Sequence, residues 1–337
     1  MSSRSGGAWR VWGNAEMFVP SLPSLGPRID QAMREDLATS LERLSHRAAA
    51  VLPMSFDTAD LRRHRVDPGV FARYYDLVFA LQGGRFDEAG RLWQEIADRA
   101  RKAVELACVA FDSASLGEDA ARFQRLFALG AATAPRFLPP NAAALVHFQK
   151  TVPSALALLE AVHPAWAEEV RGLTTRIVAV VTPATPDAVA LSGGSSLMVW
   201  GAILINVAAF PDRIGTLSVI AHEATHQFLF GLSRAELLVT NPVEDKFCTE
   251  LRPIPRSMNA MFHSTYVSGR IHALFQILAD RGDLSPAERQ YVADVSALQS
   301  RRFDQGSELI LRHGQLTPLG RRLIEEARDV LATTRPR

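Results

Sequence analysis

The chain has 337 residues and a formal charge of +1, from 37 Lys and Arg against 36 Asp and Glu. That balance argues against a nucleic-acid binder driven by bulk electrostatics. A content of 47% hydrophobic and 22% charged residues fits a globular protein with a substantial core. Two cysteines, Cys108 and Cys248, do not make a disulfide framework and fit a reducing compartment. No run approaches the roughly 18 apolar residues of a membrane span. The first 26 residues lack the apolar segment of a signal peptide. The expectation is a soluble, cytoplasmic protein with no membrane and no nucleic-acid partner; its oligomeric state is open.

Residues 1–27 are rich in Gly, Ser and Pro and read as a flexible arm. Helical patterns fill 28–172. Asp30 can cap a helix to about Ala50, and Val70 to Leu81 forms another, stopped by Gly83-Gly84. Phe86 to Phe111 reads as one amphipathic run, with Leu92, Trp93, Ile96, Ala100, Val104 and Ala107 at helical spacing. Residues 117–129 and 154–171 give two more helices.

The pattern changes in 173–337. Ile177 to Val181 predicts a strand, Ser192 to Ser196 a turn, and Met198 to Asn206 a buried strand. Pro211-Asp212 breaks the chain before a helix over 216–230, and Leu237 to Pro255 reads as loop. Helix returns from Ser257 to Ala279. Ser285-Pro286-Ala287-Glu288 is a capping box that starts the next helix, with Gln299 to Gly306 as its tail. Thr317-Pro318 starts the last, through Leu331. The fold class is α+β and mostly helical. Its strand, turn, strand, helix order resembles the zincin layout, so 173–337 is expected to hold a zincin-like core with C-terminal helices.

The helix over 216–230 carries His222-Glu223-Ala224-Thr225-His226. Two histidines at i and i+4 face the same way and can grip one metal ion. Leu217, Ile220, Ala221, Ala224, Phe228 and Leu229 supply the apolar face of a buried helix. A catalytic metal needs a third protein ligand and open positions. In a gluzincin-type zinc peptidase that ligand is an acid about twenty residues on, where Glu244, Asp245 and Glu250 lie, and Glu223 is the general base. The three acids fall in predicted loop. The metzincin extension is absent, since Leu229 and Leu232 occupy its glycine and third-histidine places. A non-enzymatic reading, a peptide-docking protein, also accommodates the pattern.

Downstream lies Leu251-Arg252-Pro253-Ile254-Pro255-Arg256-Ser257, followed by His263-Ser264-Thr265-Tyr266. HExxH followed by such a segment resembles the bacterial HExxH-type peptide-modifying proteins of ribosomal-peptide (RiPP) pathways. That family includes Fe(II)- and 2-oxoglutarate-dependent peptide β-hydroxylases. The resemblance covers roughly 175–280. Arg252, Pro253, Pro255, Arg256, His263 and Tyr266 fall at matching places, whereas Ile254, Ser257 and Ser264 depart from the pattern. It implies that His263 joins His222 and His226 as metal ligands. It also implies that a precursor peptide is the substrate, with dioxygen and 2-oxoglutarate consumed. The carboxylate of 2-oxoglutarate needs a cation, best an arginine fork. Arg256 is the first choice, Arg252 the second and Arg270 a weaker third. Glu223 then orients a ligand or holds a water instead of serving necessarily as a base.

The remaining signals are bland. Ser192-Gly193-Gly194-Ser195-Ser196 lacks the lysine of a phosphate loop. Tyr74, Tyr75 and Trp93 read as core. His46, His64, His147 and His163 read as structural or exposed, and His272 falls on the face opposite His263.

Overall fold

The computed structural model describes residues 17–20, 25–49, 52, 57–129, 135–183, 191–210, 212–234 and 236–334. Most of the arm expected at 1–27, and Pro211, lie outside them. The elements in chain order are α1 (Leu25–Arg47), α2 (Ala59–Arg63), α3 (Pro68–Gln82), α4 (Phe86–Ala100), β1 (Ala107–Ala110), α5 (Ser113–Leu116), α6 (Asp119–Ala128), α7 (Ala142–Val162), α8 (Pro164–Leu173), β2 (Arg176–Val180), β3 (Gly193–Ser195), β4 (Ala202–Asn206), α9 (Arg213–Ser233), β5 (Lys246–Thr249), β6 (Arg252–Ser257), α10 (Met258–Arg281), α11 (Pro286–His313) and α12 (Pro318–Thr334). The class is α+β and mostly helical, as the sequence pattern indicates.

Two compact units divide the chain. A sheet unit comprises Gly26–Ala155 and Val170–Gln227, and a helical unit comprises Met1–Leu25, Leu156–Glu169 and Phe228–Arg337.

In the sheet unit the strand order is β1-β2-β4-β3. The first three strands are parallel, and β3 runs antiparallel along β4, pairing Gly193 with Ile205 and Ser195 with Ile203. On one face Val178, Val180, Ala202 and Leu204 pack with Phe111, Phe123, Leu126 and Phe137 into a core. Strands β2 and β4 are buried almost throughout, which explains their continuous apolar sequences.

Several predicted elements change here. The run from Phe86 ends as helix at Ala100. Val104 N then bonds Arg65 O and Ala107 N bonds Thr175 O, and Ala107–Ala110 joins the sheet. Parallel pairing overrides a helical periodicity that four residues are too few to contradict. Asp30 does not cap a helix, because α1 starts at Leu25. It accepts from Trp200 Nε1 at 3.0 Å and Arg34 Nε at 2.9 Å in the buried interior. Asp67 is the cap of α3 instead, accepting from Gly69 N with Pro68 in the first turn. The predicted strand from Met198 shortens, since a helical turn covers Leu197–Val199 before β4 begins at Ala202. The helix expected over 154–171 is two, α7 and α8, separated at His163. There the imidazole Nδ1 accepts from Trp166 N at 3.2 Å.

Helix α7 is the one helix among the described residues long and apolar enough to cross a membrane by length and composition alone, with 33% of its most apolar window buried. Phe148, Val152, Leu156 and Leu159 recur on one buried stripe, with Gln149, Lys150 and Glu160 exposed.

In the helical unit α10 and α11 pack closely. A Cβ on Gly269 would stand 2.6 Å from the Phe303 ring, and one on Gly306 would collide with the Thr265 hydroxyl. Gly306 is therefore an interior contact, and α11 continues past it to His313. The Ser285–Glu288 capping box forms with both reciprocal hydrogen bonds. The expected loop over 237–255 holds an antiparallel hairpin, β5–β6, with Phe247 opposite Arg256 and Thr249 opposite Arg252.

Candidate metal centre on helix α9

Helix α9 follows β4 through a short turn in which Asp212 Oδ1 accepts from Gly215 N at 2.7 Å. Thr216, Leu217, Ile220, Ala221, Ala224, Thr225 and Gln227 are buried, so the helix is held by its apolar side. His222 and His226 are half-buried on one stripe, with ring centroids 5.0 Å apart. Two imidazoles bound to one ion through nitrogens at about 2.1 Å bring their ring centres to about 5 Å. The pair therefore fits two sites on one metal. The same stripe continues one turn on to Phe230, whose ring lies 5.3 Å from that of His263.

Glu223 is buried, with 5% of its surface exposed. Ser195 Oγ donates to its Oε2 at 2.7 Å. Burial pushes the carboxyl up to about 7, against the downward pull of that hydroxyl. A group that gains and loses its proton near neutrality can hold or move a proton. The Gly193–Ser195 segment is thus an edge strand beside Glu223, where the sequence suggests a turn. Alternation along β3 explains its composition: Gly193 and Ser195 face α9, whereas Gly194 faces the Phe127 ring. Sequence reading misses both residues, because Gly-Gly-Ser has no strand propensity.

His263 sits in the first third of α10, capped by Ser257 Oγ accepting from Ala260 N at 3.4 Å, and is buried. The arginine candidates separate sharply. Arg252 is half-buried and donates through Nη2 to Ser264 O at 3.2 Å and Ser268 Oγ at 3.0 Å. Burial, then the charges of Arg302 and Arg256, lower its pKa to about 10. Arg256 is exposed on the hairpin. Arg270 is taken out of contention. It is fully buried, ion-paired to Glu169 at 2.7 Å, with its guanidinium 4.8 Å from both the Trp166 and Phe228 rings.

The acids of the peptidase reading lie on no helix. Glu244 and Asp245 are exposed in the approach to β5, and Glu250 is at the hairpin turn, within 3.4 Å of Gln305 Nε2. His272 bonds Ser296 Oγ through Nδ1 at 2.8 Å. His64 bonds Ala100 O at 2.9 Å, and Trp93 is core. Among the described residues no three His, Cys, Asp or Glu side chains gather as a metal-holding group. No known family model matches the chain, and no curated protein matches it.

Proposed function

We propose that the protein is an Fe(II)- and 2-oxoglutarate-dependent peptide hydroxylase built on a zincin-like core. The observation that carries a metal centre is the 5.0 Å separation of the His222 and His226 rings on one stripe of α9. In this reading the third ligand is His263, on the resemblance of the sequence segment that carries it. Three imidazoles leave positions for a bidentate keto acid and dioxygen. Iron so held would, with 2-oxoglutarate and dioxygen, supply the oxidant that hydroxylates an unactivated side-chain carbon. The antiparallel edge strand β3 beside α9 supports the zincin-like assignment.

The chain's own groups divide the remaining work. Arg252 is the better partner for the co-substrate carboxylate than Arg256. Its fork is aimed by Ser264 and Ser268, next to and five residues beyond His263, and its buried Nε has no hydrogen-bond partner among the described residues. Glu223 holds a proton or a water beside the imidazoles. The zinc-peptidase reading keeps one supporting observation, the near-neutral proton affinity of Glu223, which suits a general base.

Anaerobic loading with Fe(II), then 2-oxoglutarate, is expected to produce a weak visible charge-transfer band. His263→Ala should abolish the band and lower iron affinity by at least about a hundredfold. Tight zinc, no band and peptide hydrolysis lost on Glu223→Gln would instead establish the peptidase.

A further inference from the structure

Strand β3 does more than close one edge of the sheet. Its two residues on the α9 side meet the two oxygens of one carboxylate. Ser195 Oγ donates to Glu223 Oε2 at 2.7 Å. A Cβ on Gly193 would stand 3.0 Å from Glu223 Oε1 and 2.7 Å from Val219 Cγ2, so Oε1 is packed against a position with no room for a side chain. The strand is only three residues long, but its register is fixed by pairing Gly193, Gly194 and Ser195 with Ile205, Leu204 and Ile203 of the buried β4. A one-residue slip would turn Gly193 and Ser195 to the opposite face.

We propose that Ser195 is a positioning residue for Glu223, with Gly193 providing the space. Together they hold the carboxylate against β3 in a single orientation. This rests on the metal-centre reading of α9. A buried carboxylate on a flexible stem has two or more rotamers available beside a cationic centre. One hydroxyl donor on a fixed strand selects among them. Glu223 is thereby kept turned to the strand and out of the ligand set. The hydroxyl is the essential part: threonine supplies it and suits an edge strand, whereas alanine keeps the backbone and removes the donor.

The test compares wild type with Ser195→Ala, Ser195→Thr and Gly193→Ala. Three quantities are measured: iron stoichiometry, 2-oxoglutarate consumed without peptide, and the Glu223 side-chain torsions in crystals. Ser195→Ala is expected to keep one iron per chain, with turnover of 2-oxoglutarate reduced about 10-fold or more, KM unchanged and the Glu223 carboxylate rotated. Ser195→Thr should restore turnover to within about twofold of wild type. Gly193→Ala should displace the same carboxylate from the other side. An unrotated Glu223 in Ser195→Ala overturns the proposal, as does wild-type turnover or loss of iron in that variant. If the wild-type protein binds no iron, the metal-centre reading fails, and the torsions of Glu223 in the Ser195→Ala crystal still decide the positioning claim.

Discussion

The sheet unit and the helical unit set the polar residues of the candidate site in different surroundings, although both also bury polar pairs such as Asp30 with Arg34 and Glu169 with Arg270. In the sheet unit the histidines of α9 are half-buried, and β3 supplies a hydroxyl at the edge of the sheet. In the helical unit α10 is buried without interruption from Met261 to Phe275, on all sides of the helix. Its polar residues are therefore interior groups that need partners. Arg270 has Glu169, Tyr266 donates its hydroxyl to Met17 O at 3.0 Å, and His272 has Ser296. A half-buried polar residue keeps part of its surface open to solvent and to ligands. One sealed in a core holds the helix in place through its partner.

The sharpest test of the contrast is the Glu169–Arg270 pair. Removing one partner, by Arg270→Ala or Glu169→Ala, leaves a buried charge uncompensated. This should cost about 3–5 kcal/mol in urea unfolding. Replacing both, by Glu169→Leu with Arg270→Met, should recover most of that loss, because the Trp166 and Phe228 rings then enclose apolar atoms. If the single variants unfold like wild type, α10 is not the sealed element described above.

A smaller effect is expected at the α10–α11 contact. Gly306→Ala places a methyl against the Thr265 hydroxyl and should destabilise by about 1–3 kcal/mol. The double variant Gly306→Ala with Thr265→Ala, which removes the opposing hydroxyl and methyl, should recover part of this in the same unfolding measurement.

The mildest contrast is chemical. Cys108 lies half-buried on β1, and burial pushes its thiol up to about 11, so at pH 8 only about 0.1% is thiolate. Cys248 is exposed on β5. Iodoacetamide at pH 8 should alkylate Cys248 first, and Cys108 should become reactive as the pH is raised towards 11. Equal labelling of the two, followed by mass spectrometry, would break the contrast.

The parts of this architecture legible in the sequence are those set by local rules. The α9 motif, the Ser285 capping box and the apolar runs of β2 and β4 each depend on residues within a turn or two. What escaped depends on distant partners. β1 is helical by spacing and becomes a strand only through Arg176 to Ala179. β3 has no strand-forming residue and exists through Ile203 to Ile205. β6 carries Pro253 and Pro255, which read as loop, yet its hairpin forms. The withdrawal of Arg270 from the candidate site required Glu169, 101 positions away. The candidate centre divides likewise. His222 and His226 are readable from spacing alone, whereas Ser195 and Gly193 are visible only once β3 is placed beside α9.

The division into units also limits how the gene can be cut. The unit boundaries after Ala155, Glu169 and Gln227 fall inside α7, α8 and α9. Each therefore severs a continuous ladder of backbone hydrogen bonds instead of a linker. No single truncation yields either unit as one piece of chain, since each is assembled from separated segments. Limited proteolysis should accordingly find its early cuts in the loops outside these helices, and the nicked pieces should stay associated.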